Sequence, residues 1–281
     1  MRLPQVQWHD QLRLCLLLSD YTTWHSQGCY ELDHIAHHYG ARADQVVVLV
    51  YAHDVHRHYH GPLKLIEWPG HLAHWVDRLS TGAHSDLYRG DWLTNKTNEW
   101  QCLNGRIRPH REHTAAVLSS WPGGTVSLGM QQPYHPWTYA QGNTPSNWMD
   151  NFRQLHALYQ RCVTNVVTES VYEWRPGVIS EKTLFAFVAC QVPIMIAHPG
   201  SVNDCRRMGF DMFDDIVDNS FDLLPNDQRW HAALELNRHW ITDPCVDQQL
   251  RHRLWLNHQH VFSGLMHYIL ARVNTDLAAV V

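Results

Sequence analysis

Short apolar runs alternate with stretches of helical spacing through the first 222 residues of the chain. The runs have the length of buried strands and lie at residues 12–18, 45–52, 63–67, 100–103, 125–130, 162–168 and 192–197. The helical stretches between them lie at residues 29–39, 71–79, from about 110, 148–159 and 181–189. This alternation is typical of βαβ units and predicts an α/β fold with parallel strands.

Beyond residue 222 the pattern becomes helical. Trp230, Ala233, Leu234 and Trp240 share one helical face, and apolar residues continue at helical spacing from 250 to 273. We expect these helices to pack on or close over the α/β part.

Composition adds limits on partners and compartment. The chain of 281 residues is 44% hydrophobic and carries a formal net charge of −5, so a nucleic-acid contact would need a local basic patch. Seven cysteines without a C-x-x-C pair favour reduced thiols. The first ten residues lack the apolar core of a signal peptide, and no apolar run reaches membrane-spanning length. We therefore expect a cytoplasmic protein without a membrane partner.

The start of the predicted helix at 181–189 has unusual charges. Ser180 is a good N-cap, and Lys182 places a cation at the positive end of the helix dipole, which suggests an anionic guest such as a phosphate or diphosphate. Glu181 could accept hydrogen bonds from ribose or sugar hydroxyls, and Glu169, at the end of the preceding strand, is expected nearby. The alternative is an exposed Glu-Lys pair on an ordinary helix.

A second basic feature follows the strand at 100–103. Arg106, Arg108 and Arg111 surround a predicted strand-to-helix turn at Asn104 and Gly105. Guanidinium groups there can present forked donors to phosphate oxygens. A solvated basic loop is the alternative.

Polar residues end the first two predicted strands. Asp20 follows the first, and His53 with Asp54 follows the second. Ligands of open α/β sheets bind at this edge, so Asp20 is a candidate acid or base. The alternative is that Asp20 forms an Asx turn or a helix cap.

A loop at 131–147, rich in proline and aromatic residues, follows. Tyr134, Trp137 and Tyr139 could stack on a sugar ring or an unpaired base, or could pack on the core.

The histidine-rich run at 53–60 suggests a metal site. His56, His58 and His60 alternate, but no recognised ligand spacing accompanies them, and a chain with 23 histidines forms clusters by chance. We predict no metal site.

Four ordered motifs resemble a known family. They are L-N-G-R-I-R-P-H-R at 103–111, V-V-T-E-S at 166–170, V-I-S-E-K-T at 178–183 and M-G-F-D-M-F-D-D-I-V-D-N-S-F-D at 208–222. Together they resemble glycosyltransferase-like proteins of bacteriophages and environmental viruses, whose C-terminal half is similar to that of α1,3-fucosyltransferases and exostosin-type enzymes. The resemblance covers roughly residues 100–222.

The resemblance implies a GT-B architecture of two Rossmann-like halves facing a cleft. Residues 1–98 would form the acceptor half, 99–222 the donor-binding half, and 223–281 the C-terminal helices. Glu181 and Lys182 match the E-K pair that holds the ribose and phosphates of the donor. The arginines match a basic turn of the viral group where diphosphate binding is plausible. Such enzymes generally need no bound metal or other cofactor beyond the nucleotide sugar, here UDP- or GDP-linked.

The expected activity is inverting, metal-independent glycosyl transfer, with Asp20 as the first choice of base and Asp54 and His53 behind it. The viral resemblance suggests a 5-hydroxymethylpyrimidine of DNA as acceptor; a glycan, a protein or a small molecule are alternatives. A non-catalytic nucleotide- or nucleic-acid-binding module and a metal-dependent hydrolase built on the histidines remain as other classes. The sequence leaves the oligomeric state open.

Overall fold

A computed structural model of the chain shows the fold. It describes residues 15–17, 28–50, 59–67, 72, 76–77, 79, 90–105, 107–128, 152, 155–170, 172–173 and 179–280.

The first sheet has three parallel strands in the order β1-β2-β3. These strands are β1 (Cys15–Leu17), β2 (Val47–Val50) and β3 (Lys64–Glu67). Helix α1 (Gly28–Tyr39) and a 3₁₀ turn (Gly40–Gln45) connect β1 to β2. A small core forms on this sheet from the apolar side chains of Leu32, Ile35, Val46, Val48, Val50 and Leu65. The strand–helix–strand prediction for this part is confirmed.

The second sheet has four parallel strands in the order β5-β4-β6-β7. These strands are β4 (Thr97–Asn104), β5 (Gly124–Leu128), β6 (Cys162–Thr168) and β7 (Val192–Ile196). Every residue of β6 and β7 is buried, which explains their continuous runs of mostly apolar residues. The register pairs Thr168 with Ile196, so β6 and β7 end side by side.

Helices connect and cover this second sheet. They are α2 (Pro109–Leu118), α3 (His156–Arg161), α4 (Glu181–Val188) and α5 (Ser201–Arg207). One large core includes residues of β4, β6 and β7, and the partly buried Val126 of β5 packs against it. Leu72, Val76, Leu79 and Trp92 belong to this core as well.

The chain beyond residue 222 is helical, as predicted, but Trp240 lies in a different helix from Trp230, Ala233 and Leu234 and does not share one helical face with them. The helices are α6 (Asn226–Leu236), α7 (Arg238–Thr242), α8 (Gln248–Gln259) and α9 (Leu265–Val280). A π-helical turn (His260–Gly264) joins α8 to α9, so the single amphipathic element predicted at 250–273 is divided there. Helix α8 packs against α4, and α9 also contacts β3 of the first sheet. Among the described residues, no helix has both the length and the hydropathy that crossing a membrane requires.

The buried side chain of Lys96 cross-links the N-terminal edge of the second sheet, where its strands begin. Lys96 Nζ donates hydrogen bonds to the carbonyl oxygens of Tyr159, Cys162 and Ala189 at 2.9, 2.7 and 2.7 Å. Burial lowers the pKa of Lys96 to about 7, while the three carbonyls match the three hydrogens of an ammonium group. The residue therefore links α3, β6 and the end of α4.

Candidate functional site

The candidate site lies at the C-terminal edge of the second sheet. Strands β4, β6 and β7 end there at Asn104, Thr168 and Ile196, and α2 and α4 begin close by. The hydroxyl of Thr168 donates a hydrogen bond to Asn104 Oδ1, which joins the ends of β4 and β6. Ligands of open α/β sheets bind at such an edge.

A buried carboxylate occupies the start of α4. Ser180 is the N-cap, as predicted, and its Oγ accepts from the backbone N–H of Lys182 at 3.2 Å. Glu169 is only 3% exposed, and its Oε1 accepts from Ser180 N at 3.0 Å and from Thr183 Oγ1 at 2.5 Å. Its Oε2 accepts from Ser170 N at 3.3 Å. The Glu169 carboxylate therefore compensates part of the positive dipole charge at the N-terminus of α4.

The Lys182 ammonium has three acceptors within reach. Its Nζ lies 2.8 Å from Glu181 Oε1, 3.2 Å from Ser170 Oγ and 3.4 Å from Ser180 Oγ. The side chains of Lys182 and Glu181 are 23% and 25% exposed, so the ion pair is accessible from solvent. An incoming anion would compete with these acceptors for the ammonium, and above all with Glu181, which is the one that carries a negative charge.

The arginines of the predicted basic turn differ in their surroundings. Arg108 is the N-cap residue of α2 and is exposed, whereas Arg111 in the first turn is only 2% exposed. Arg111 Nη2 donates to the carbonyl of Thr168 at 3.0 Å and makes a long contact of 3.5 Å with Ser170 Oγ. Arg106 lies outside the described residues. Arg111 is therefore buried at the edge of the sheet, whereas Arg108 is exposed to solvent there.

The Glu169 carboxylate stabilises the buried positive charge of Arg111. Burial lowers the pKa of Arg111, and the Glu169 carboxylate opposes this shift. The two buried side chains of opposite charge are therefore close enough for their charges to interact.

A neutral histidine completes the wall beside this pair. His110 Nε2 donates to the carbonyl of Glu169 at 3.0 Å, and its ring stacks on Tyr172 with centroids 4.7 Å apart. Burial lowers the pKa of His110 to about 4, so the ring is uncharged at pH 7. The guanidinium of Arg229 also lies over the Tyr172 ring, at 4.5 Å.

Asp222 holds the neighbouring turn after β7. Its carboxylate accepts from Ser201 Oγ and Val202 N, both at 3.2 Å, and from Asn203 N at 3.3 Å. The backbone N–H of Gly200 donates to the Asp222 carbonyl at 3.1 Å. Asp222 is the last acid of the motif at 208–222, and no local pattern signals its role, because the groups that it binds lie 19 to 21 residues before it in the chain.

The remaining predicted site residues lie outside the described residues. They are the candidate bases Asp20, His53 and Asp54 and the aromatic residues Tyr134, Trp137 and Tyr139. Their roles stay predictions.

The described part of the chain contains no group of three or more His, Cys, Asp or Glu side chains arranged to hold a metal ion. His56 and His58 of the histidine-rich run are outside that part, and His60 is exposed.

The described residues define an α/β protein with two parallel sheets and a site of mixed charge at the edge of the larger one. Comparisons of the chain with protein-family models, with curated proteins and with solved structures find no match.

Proposed function

We propose that the chain is a glycosyltransferase that binds the diphosphate of a nucleotide sugar where β6 ends and α4 begins. The observation that supports the proposal is that two cationic side chains contact the same hydroxyl group, that of Ser170. Lys182 Nζ and Arg111 Nη2 both point at Ser170 Oγ, and the Lys182 side chain is accessible from solvent. Positive charge held at the C-terminal edge of a parallel sheet suits a phosphorylated ligand.

Lys182 and Glu181 would bind different parts of the nucleotide-sugar donor. The ammonium would bind the diphosphate and stabilise the negative charge that develops on it as the bond to the sugar breaks. Once its ion pair with Lys182 opens, the Glu181 carboxylate would accept hydrogen bonds from ribose hydroxyls. The resemblance of the E-K pair to that of fucosyltransferase-like enzymes supports this division.

The first sheet would supply the acceptor side in a GT-B arrangement. In an inverting displacement, a base from Asp20, Asp54 or His53 removes the proton of the acceptor hydroxyl. The contact of α9 with β3 is compatible with C-terminal helices that reach both sheets. The proposed acceptor is a hydroxymethylated pyrimidine of DNA, which an enzyme must take out of the base stack.

A thermal-shift screen against UDP- and GDP-linked sugars tests the donor, followed by mass analysis of hydroxymethylated DNA incubated with the best binder. We expect one nucleotide class to raise the melting temperature and the DNA to gain the mass of one sugar. Lys182→Ala should abolish transfer, while Arg161→Ala, which removes an exposed cation at the other end of β6, should leave it unchanged.

Each other outcome has a definite meaning. Full turnover by Lys182→Ala would refute the assignment of the site. Nucleotide-sugar binding without transfer to DNA, glycan or protein acceptors would instead favour the non-catalytic binding module.

A further inference from the structure

Ser170 is placed where β6 leaves the sheet, between the two cations of the site. Its Oγ lies 3.2 Å from Lys182 Nζ and 3.5 Å from Arg111 Nη2. Ammonium and guanidinium groups only donate hydrogen bonds, so the hydroxyl oxygen is the acceptor in both contacts. The backbone N–H of Ser170 is bound to Glu169 Oε2 at 3.3 Å, which holds the residue in place.

The hydroxyl hydrogen of Ser170 must therefore point away from both cations. A serine hydroxyl has one hydrogen and two lone pairs, and here the lone pairs face Lys182 and Arg111. In the part of the chain that the structure describes, this hydroxyl makes no hydrogen bond as a donor. A half-buried O–H beside two positive charges is best satisfied by an anionic oxygen, since that oxygen is also attracted by both charges.

We propose that Ser170 is a ligand-binding residue whose hydroxyl donates to a phosphate oxygen while Lys182 binds the same anion. The identity of the ligand, a nucleoside diphosphate, rests on the proposed function; the anion chemistry rests on the three side chains themselves. Ser170 thereby adds a directed hydrogen bond to the attraction of the Lys182 ammonium, which is a point charge with little directional preference of its own.

Calorimetric titration with inorganic pyrophosphate, UDP and GDP tests the proposal. Hydrogen bonds to charged groups are among the stronger ones, so Ser170→Ala should weaken binding by about 10-fold or more. Ser170→Thr keeps the hydroxyl and should stay within about 3-fold of the wild-type chain, given the strength of that hydrogen bond. Ser170→Cys, which keeps the size but is a weak donor, should fall between the two.

A double-mutant cycle separates donation to the ligand from positioning of Lys182. If Ser170 acted only by holding the ammonium, adding Ser170→Ala to Lys182→Met would have no further effect on affinity. We expect a further loss of several-fold for pyrophosphate in the double variant, because the hydroxyl contacts the anion itself.

The results also distinguish this inference from the proposed function. Wild-type affinity for pyrophosphate in Ser170→Ala or Ser170→Cys, or loss of the effect in the Lys182→Met background, would overturn the role of Ser170 alone. A wild-type chain that binds neither pyrophosphate nor either nucleotide would overturn both. Thermal melting of each variant shows whether it is folded, and Ser170→Cys serves if Ser170→Ala is not.

Discussion

The two glutamates beside the start of α4 should differ sharply in their effect on stability. Glu169 is 3% exposed, and its carboxylate accepts from Ser180 N, Thr183 Oγ1 and Ser170 N. Glu181 has a side chain that is 25% exposed and pairs with Lys182 at 2.8 Å. Replacing each by alanine removes one carboxylate from the same helix start, which makes the pair a matched comparison.

The expected cost of Glu169→Ala follows from the donors it leaves behind. Each buried donor without an acceptor costs roughly 1–3 kcal/mol, and two of the three donors belong to the buried residues Ser180 and Thr183, so the total is about 2–6 kcal/mol. The charge of Arg111 would also lose its buried counter-charge, which acts in the same direction. Glu181→Ala should cost about 1 kcal/mol or less, because a partly exposed ion pair contributes little.

Thermal unfolding of the two variants and the wild-type chain measures the difference. A loss of about 3 kcal/mol lowers the melting temperature of a domain of this size by roughly 6–12 °C, whereas about 1 kcal/mol lowers it by roughly 2–4 °C. Equal melting temperatures for Glu169→Ala and the wild-type chain, or equal losses in the two variants, would refute the buried-cap role of Glu169.

Two further predictions concern buried groups. Lys96→Met should lower the free energy of unfolding by about 1–3 kcal/mol in urea titrations, because the Ala189 carbonyl loses its donor, whereas the carbonyls of Tyr159 and Cys162 keep Gln191 Nε2. Arg161→Met should change the free energy of unfolding by less than about 1 kcal/mol. Stability should also fall as pH drops from 6.5 towards 4, because unfolded His110 takes up a proton near pH 6.5 but folded His110 only near its pKa of about 4. The contribution is at most about 1.4 kcal/mol per pH unit, and His110→Gln should remove it from the pH dependence of the unfolding midpoint. An unchanged pH dependence in that variant would contradict the assignment.

The sequence predicts most of the fold of the described residues because its strands are buried and parallel. The run at 162–168 coincides with β6, and Ser180 caps α4 as expected. Such features depend on local patterns, since a strand buried on both faces is apolar along its length and a cap is defined by its neighbours.

The contacts within the site depend on residues far apart in the chain and could not be predicted in this way. Arg108 and Arg111 are equivalent in the sequence motif, yet the register of α2 buries one and exposes the other. Lys96 lies in a stretch that is polar and rich in turns, and its three acceptors are 63 to 93 residues away. The role proposed for the Ser170 hydroxyl likewise depends on its contacts with Arg111 and Lys182, which only the folded chain brings together.

Amide hydrogen exchange with and without UDP- and GDP-linked sugars tests the central claim most directly, because it reports both binding and its location. We predict that the bound nucleotide slows exchange in residues 179–188, which contain α4 and its N-cap, and that Lys182→Ala removes this protection. A nucleotide that binds the chain but leaves the exchange of this segment unchanged would contradict the proposed donor site.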